Sequence, residues 1–176
     1  MTVASTHFER DAFGRPVQLT DPLGFVTRME WSVEGNPILR VAPDGSTESW
    51  TYDSEGNCTT HADALGAATR YGYTQFALLA ARTGPDGMRH TFTYDSELRL
   101  AQVTNAQGLN WKYTYDKAGR PFSETDFDDR TIGYRHDAAG RLVSRTNSLG
   151  LTTHFALAEL GQIVCQTTGA ASSSNG

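Results

Sequence analysis

The tyrosine-aspartate pair in "YTYDKAGR", residues 113–120, returns along the chain at a fixed interval of 21 residues. The column through Tyr115 reads Arg10, Trp31, Tyr52, Tyr73, Tyr94, Tyr115, His136 and Leu157. Two positions earlier stand Phe8, Met29, Trp50, Tyr71, Phe92, Tyr113, Tyr134 and Phe155, aromatic in every copy but one. Four positions after the tyrosine come Gly14, Gly35, Gly56, Ala77, Leu98, Gly119, Gly140 and Gly161. A second glycine column holds Gly24, Gly45, Gly66, Gly87, Gly108, Asp129 and Gly150. A register that never slips over residues 8–168 is that of a repeat array, in which each unit packs on its neighbours.

The punctuation of one copy fixes its local structure. Asp-x-x-Gly, headed by Asp11, Asp53, Asp116 and Asp137, with Asp95 heading the same turn position before Leu98, is a tight turn. The carboxylate accepts a backbone N–H and the fourth residue takes positive φ, which glycine does at no steric cost. The second turn has the same build; Asp21-Pro22-Leu23-Gly24 carries proline where φ is near −65°. Segments of about six residues rich in Thr, Val, Tyr and Phe separate the turns, and read as strands. The expected fold is all-β: an antiparallel meander of about eight hairpin repeats forming a curled or spiralling sheet. In "WKYTYD" the alternation puts Trp111, Tyr113 and Tyr115 on one face. The aromatics are expected to stack copy on copy as cross-strand neighbours, about 0.2–1 kcal/mol per pair. Ala77 and Leu98 lack the glycine of their column, and their turns are expected to be wider or distorted. No segment supports a helix. The array is assigned to residues 8–168 and a flexible tail to 169–176.

Composition narrows the functional classes. Apolar residues make up 38% of the 176, with 17 glycines and a net charge of −5. No basic stripe marks a nucleic-acid surface. No apolar run is long enough for a membrane-spanning helix, and the opening "MTVASTHFER" has no export-signal pattern. Cys58 and Cys165 stand far apart and read as two buried or idle thiols.

The motifs "YTYDKAGR", "RHDAAGRL" and "YDSEGN" at this period resemble the Rhs, or YD-repeat, family over nearly the whole chain. In that family long arrays form a β-strip that spirals into a hollow shell around a C-terminal toxin, and related arrays serve adhesion in animal teneurins. The resemblance implies a scaffold, with further repeats of a longer chain and an enclosed toxin domain as partners. It implies a secreted or cell-surface setting as part of a larger protein. The chain departs from the pattern in being short for a closed shell and in lacking a variable domain after the array. Asp-Pro-x-Gly, paired in the family's self-cleaving segment, occurs once, at 21–24, in an ordinary turn column.

The candidate functional residues are therefore structural. The turn set is Asp11, Gly14, Gly35, Asp53, Gly56, Asp95, Asp116, Gly119, Asp137 and Gly140. The aromatic ladder is Phe8, Trp50, Tyr52, Tyr71, Tyr73, Phe92, Tyr94, Tyr113, Tyr115, Tyr134 and Phe155. A reaction centre occurs once and breaks a period, whereas these residues make it. No catalytic residue, metal ligand or cofactor is assigned. The arginines after the glycine, Arg15, Arg99, Arg120 and Arg141, are read as partners of neighbouring turn aspartates or as a ladder for anions or sugars. Glu124, Asp126, Asp128 and Asp129 are a solvated turn or a calcium cluster. The aromatic face is either the apolar surface the sheet must cover or a platform for a glycan or a cell-surface protein. Two readings of function follow: a non-catalytic shell segment that helps enclose and deliver a toxin between cells, or a carbohydrate- or surface-binding repeat module. The strands near Phe8 and Ile163 lack the lysines and prolines that blunt sheet edges, so the isolated chain is expected to self-associate.

Overall fold

A computed structural model describes residues 5–158 and 162–170. Every element is a strand, and every pairing between strands is antiparallel between chain neighbours. The chain divides into two units, residues 1–90 and 91–176. The first holds β1 (His7–Arg10), β2 (Pro16–Thr20), β3 (Val26–Trp31), β4 (Pro37–Val41), β5 (Thr47–Tyr52), β6 (Cys58–Ala62), β7 (Ala68–Tyr73) and β8 (Leu79–Thr83). β9 (Arg89–Tyr94) spans the boundary and pairs within the second unit through Thr91–Tyr94. The second unit continues with β10 (Leu100–Thr104), β11 (Asn110–Tyr115), β12 (Pro121–Thr125), β13 (Thr131–His136), β14 (Leu142–Thr146), β15 (Leu151–Leu157) and β16 (Ile163–Ala170). Of the expected tail, Gly169 and Ala170 belong to β16, opposite Thr152 and Leu151. Residues 171–176 and Gly161 lie outside the described residues.

Each repeat is an odd-numbered strand, a first turn, an even-numbered strand and a second turn. The turns share one hydrogen-bond pattern. At the first turn of one copy, Gly119 N donates to Asp116 O and Asp116 N donates to Arg120 O, both at 2.9 Å. The second turn repeats this between Asn105, Gly108 and Leu109. Gly119 and Gly108 sit at φ 79° and 81°, where a side chain would be strained.

The two hairpins of a repeat differ by one residue. Across the second turn the register is regular: Thr104 faces Asn110 and Val103 faces Trp111. Across the first turn Thr114 faces Ser123 but Tyr115 faces Pro121, so Phe122 has no opposite number. The same shift stands between Thr51 and Tyr52 and between Arg135 and His136. Each repeat thus carries a β-bulge on its even strand, a feature that bends the strand and raises its twist.

Ala77 and Leu98 do not widen their turns. Ala77 N donates to Thr74 O and Leu98 N to Asp95 O, each at 3.0 Å, as glycine does elsewhere. The residues instead adopt φ of 56° and 62°, so the cost falls on the backbone torsion and the bonding stays intact. Asp129 does the same at φ 58°.

The aromatic columns do not stack copy on copy. Consecutive copies are two strands apart, about 9.6 Å at the usual strand spacing, and the intervening even strand supplies the cross-strand neighbour. That neighbour is Leu19 for Phe8, His61 for Trp50, Arg82 for Tyr71, Val103 for Phe92 and Glu124 for Tyr113. Trp50 lies parallel to His61 with ring centroids 5.2 Å apart. On β11 Trp111, Tyr113 and Tyr115 are half-buried while Lys112 and Thr114 are exposed, so the faces alternate as expected. The layer remains thin: among the described residues Ala81 is the one apolar side chain that is fully buried.

Candidate functional site

The repeated chemistry lies at the first turns, where three side chains make ties, one within the turn and two to neighbouring copies. The turn aspartate acts within its own turn. Asp116 Oδ1 accepts from Ala118 N at 2.8 Å and Arg120 N at 3.0 Å, while Oδ2 accepts from Arg120 Nε at 2.7 Å. Asp11, Asp95 and Asp137 hold Arg15, Arg99 and Arg141 in the same way, and Asp53 holds Asn57. Each arginine therefore pairs with the aspartate of its own turn.

The second tie crosses between copies. Arg15 Nη1 donates to Ser32 O and Arg120 Nη1 to Asp137 O, each at 3.0 Å. The acceptor heads the first turn of the following repeat. The arginine head also lies beside that repeat's turn glycine. A Cβ added at Gly119 would stand 3.4 Å from Arg99 Nη1, and one at Gly140 would stand 3.7 Å from Arg120 Nη1. Those distances are ordinary van der Waals contact, so glycine is favoured at these positions by its positive φ and not by crowding. Arg99 further lies over the Tyr115 ring, 4.6 Å from its centroid, a cation–π contact.

The third tie is the tyrosine. Tyr115 Oη donates to Leu100 O at 2.8 Å, Tyr73 Oη to Cys58 O at 2.8 Å and Tyr52 Oη to Pro37 O at 2.9 Å. Trp31 makes the equivalent bond to Pro16 O through its indole N–H at 2.8 Å. Every acceptor is the first residue of an even strand, beside the bulge. The aromatic column thus reaches back one copy to a carbonyl at the point where the ladder is shifted.

The electrostatics follow from these contacts. The Asp116 and Asp137 carboxyls lie below the usual range, first because the backbone N–H of Arg120 or Arg141 binds the ionised form, then through the guanidinium. The Asn57 side chain does this first for Asp53. For Asp11 and Asp95 burial acts upward, and the bonds from Arg15 and Arg99 outweigh it. The Cys58 thiol is pushed up by burial, and both cysteines are free.

Phe8, Phe155 and Tyr134 have other surroundings. Phe8 is exposed, with Arg10 over its ring. Phe155 is half-buried opposite Gln166. Tyr94, half-buried, faces Leu100. Tyr134 Oη donates to Glu124 Oε1 at 2.5 Å; burial, then that carboxylate, push its phenol up to about 12. In the acidic stretch, Asp126 and Asp128 pair with Arg130. Asp21 of the single Asp-Pro-x-Gly caps its turn through Leu23 N and Phe25 N. Sequence reasoning found the turn aspartates but missed the acceptors of Tyr115 and Arg120. The available signal was weak: the two columns hold tyrosine and arginine together only at Tyr94 with Arg99 and at Tyr115 with Arg120.

A meander of bulged hairpins tied by aspartate, arginine and tyrosine is a repeat scaffold, and comparison with known proteins agrees. The RHS Repeat family model matches residues 10–47, 31–68, 52–89 and 94–131. The chain belongs to the RHS repeat family. No curated protein sequence matches it. Among solved structures it is similar to a crystal structure of TcdB2-TccC3-TEV, with TM-score 0.77, 16% identity, and coverage of 95% of this chain and 10% of that one. For TcdB2-TccC3-Cdc42 the values are 0.72, 17%, 87% and 9%. For a Tc holotoxin pore of Photorhabdus luminescens with a mutated TccC3 they are 0.58, 14%, 94% and 11%. These likenesses are of fold, and the chain spans about a tenth of the length of the first two structures.

Proposed function

We propose that this chain is a non-catalytic length of wall in a longer Rhs-type protein, which encloses a toxin domain and delivers it between cells. The observation that carries the reading is the set of ties between copies, in which Arg15 and Arg120 reach the following repeat and Trp31, Tyr52, Tyr73 and Tyr115 reach the preceding one. A surface built this way extends by addition of like units and holds its turns in line. Its partners are further repeats and the enclosed domain, and its setting is a secreted or cell-surface protein. The end strands also make the isolated chain prone to self-association.

Protease protection in the longer protein tests the reading. With the array intact, the region downstream of the repeats survives trypsin. Deletion of a half copy, residues 116–125, exposes it. A downstream region digested as fast in the intact protein as in the deletion defeats the proposal.

A further inference from the structure

The chain's own arginines show what the cleft between two first turns can hold. Arg99 pairs with Asp95 at 2.7 Å and with Glu97 at 2.6 Å, and lies 4.6 Å from the ring centroid of Tyr115 in the following copy. Arg120 adds a backbone acceptor, Asp137 O at the head of the following turn, at 3.0 Å. Carboxylates, a ring face and a carbonyl together suit a planar guanidinium with its fork of donors better than an ammonium. In two consecutive copies this arginine is replaced by asparagine, at Asn36 and Asn57.

The arginine's partners are kept in both copies. Beside Asn57 lies a cavity of about 500 Å³ whose lining includes Asp53, Glu55, Tyr73 and Thr74. Asp53, Glu55 and Tyr73 stand two periods before Asp95, Glu97 and Tyr115, and Thr74 heads the following turn as Asp137 does for Arg120. Beside Asn36 the matching cavity, of about 480 Å³, is lined by Ser32, Glu34, Tyr52 and Asp53 among others. Here Glu34 and Tyr52 stand in the columns of Glu97 and Tyr115, and Ser32 in that of Asp95. Asn57 gives Asp53 Oδ2 only a neutral partner, at 3.1 Å, so Asp53 is the one first-turn aspartate without an arginine in its turn. Neither lining includes Lys, Arg or His. Among the described residues no ion pair engages Glu34, Asp53 or Glu55.

These features select the ligand. Three carboxylates with no cation among them repel an anion and favour a cation. The ring of Tyr73 or Tyr52 beside a carboxylate reproduces the surroundings of Arg99, which are those of a guanidinium. Two like cavities one copy apart, about 9.6 Å at the usual strand spacing, suit two such groups on one molecule. In a polyproline II backbone residues i and i+3 share a side about 9.3 Å apart. We propose that the two cavities are a docking site for a segment of another polypeptide that carries two arginines three residues apart. Each guanidinium takes the place that Arg99 and Arg120 fill in their own copies.

The test is fluorescence anisotropy of a labelled Gly-Arg-Pro-Pro-Arg-Gly peptide titrated with the whole chain. Saturable binding is expected, weakened about 10-fold or more when lysines replace both arginines. N36R and N57R supply the guanidinium from the chain itself. Arginine already stands at this position in other copies, so the fold is kept, and far-ultraviolet circular dichroism verifies this. The double variant is expected to abolish binding, with a urea midpoint no lower than that of the wild type. E55Q is expected to weaken binding about 3- to 10-fold. E30Q, at an exposed carboxylate outside both cavities, is expected to leave it unchanged; this pair of variants decides the matter should the double variant fail to fold. The proposal is overturned if the wild-type chain does not bind the arginine peptide, if the lysine peptide binds as tightly, if the folded double variant still binds, or if E30Q weakens binding as much as E55Q.

Discussion

Tyr113 and Tyr115 share a face of β11, yet their hydroxyls have different surroundings. Tyr115 Oη donates to Leu100 O at 2.8 Å, whereas no partner among the described residues takes the Tyr113 hydroxyl. Tyr115→Phe leaves a half-buried carbonyl at the bulge without its donor and is expected to cost about 1–2 kcal/mol. Tyr113→Phe is expected to be within about 0.5 kcal/mol of wild type. Urea unfolding of both variants measures the difference, and equal losses would contradict the assigned acceptor. The turn aspartates lead to a pH prediction. Their carboxyls are lowered in the folded chain from an ordinary value of 3.8. Folding therefore favours their ionised form. The stabilisation is fully present above the unfolded value and is lost as pH falls through the lower folded values. The urea midpoint should hold from pH 7 to about 5 and decline progressively below 3.8. A midpoint unchanged at pH 2 would mean that the carboxylate bonds contribute nothing.

At the scale of the element, the hairpin is not the interchangeable part; the pair of hairpins is. Only the first turn of each repeat is followed by a bulge, so odd and even strands have different lengths and partners. Removing residues 95–115 joins Tyr94 to Asp116 and restores every column. Removing residues 95–104 joins an odd strand to a second-type turn and sets two odd strands side by side without a bulge. The full-copy deletion is expected to keep a cooperative urea transition near the parent midpoint, and the half-copy deletion to lose it. Equal losses would argue against stackable units. The turns and strands were legible in the sequence because Asp-x-x-Gly encodes them within five residues. The acceptors of Tyr115 and Arg120 were not, since they depend on a bulge and on which neighbouring copy a side chain faces. The expected aromatic stack failed because the spacing of a hairpin repeat is two strands. The turns at Ala77 and Leu98 held their form because backbone N–H bonds donated to Thr74 Oγ1 and Asp95 Oδ1 offset the left-handed torsion.

Within each unit stability rests on repetition more than on an interior, since among the described residues large apolar side chains lie half-covered or exposed. The strand order begins with β1 and ends with β16. β1 is exposed along its length, and Ile163 and Cys165 on β16 are exposed as well. Strand ends of this kind recruit further strands. In reducing buffer the isolated chain is expected to sediment increasingly as oligomers when its concentration is raised, and Ile163→Lys to reduce this. A monomer at all concentrations would remove self-association from the account. The inter-copy arginine has one further consequence, for the gene that encodes the array. Arg120 finds its acceptor in whichever turn follows, and that acceptor is a backbone carbonyl that any residue supplies. A recombination event that duplicates or excises one whole in-frame repeat therefore keeps the strand and turn register at the new junction and leaves Arg120 an acceptor. Length in such an array can drift by unequal crossing-over without passing through a broken intermediate, whereas any exchange out of phase is exposed at once to selection.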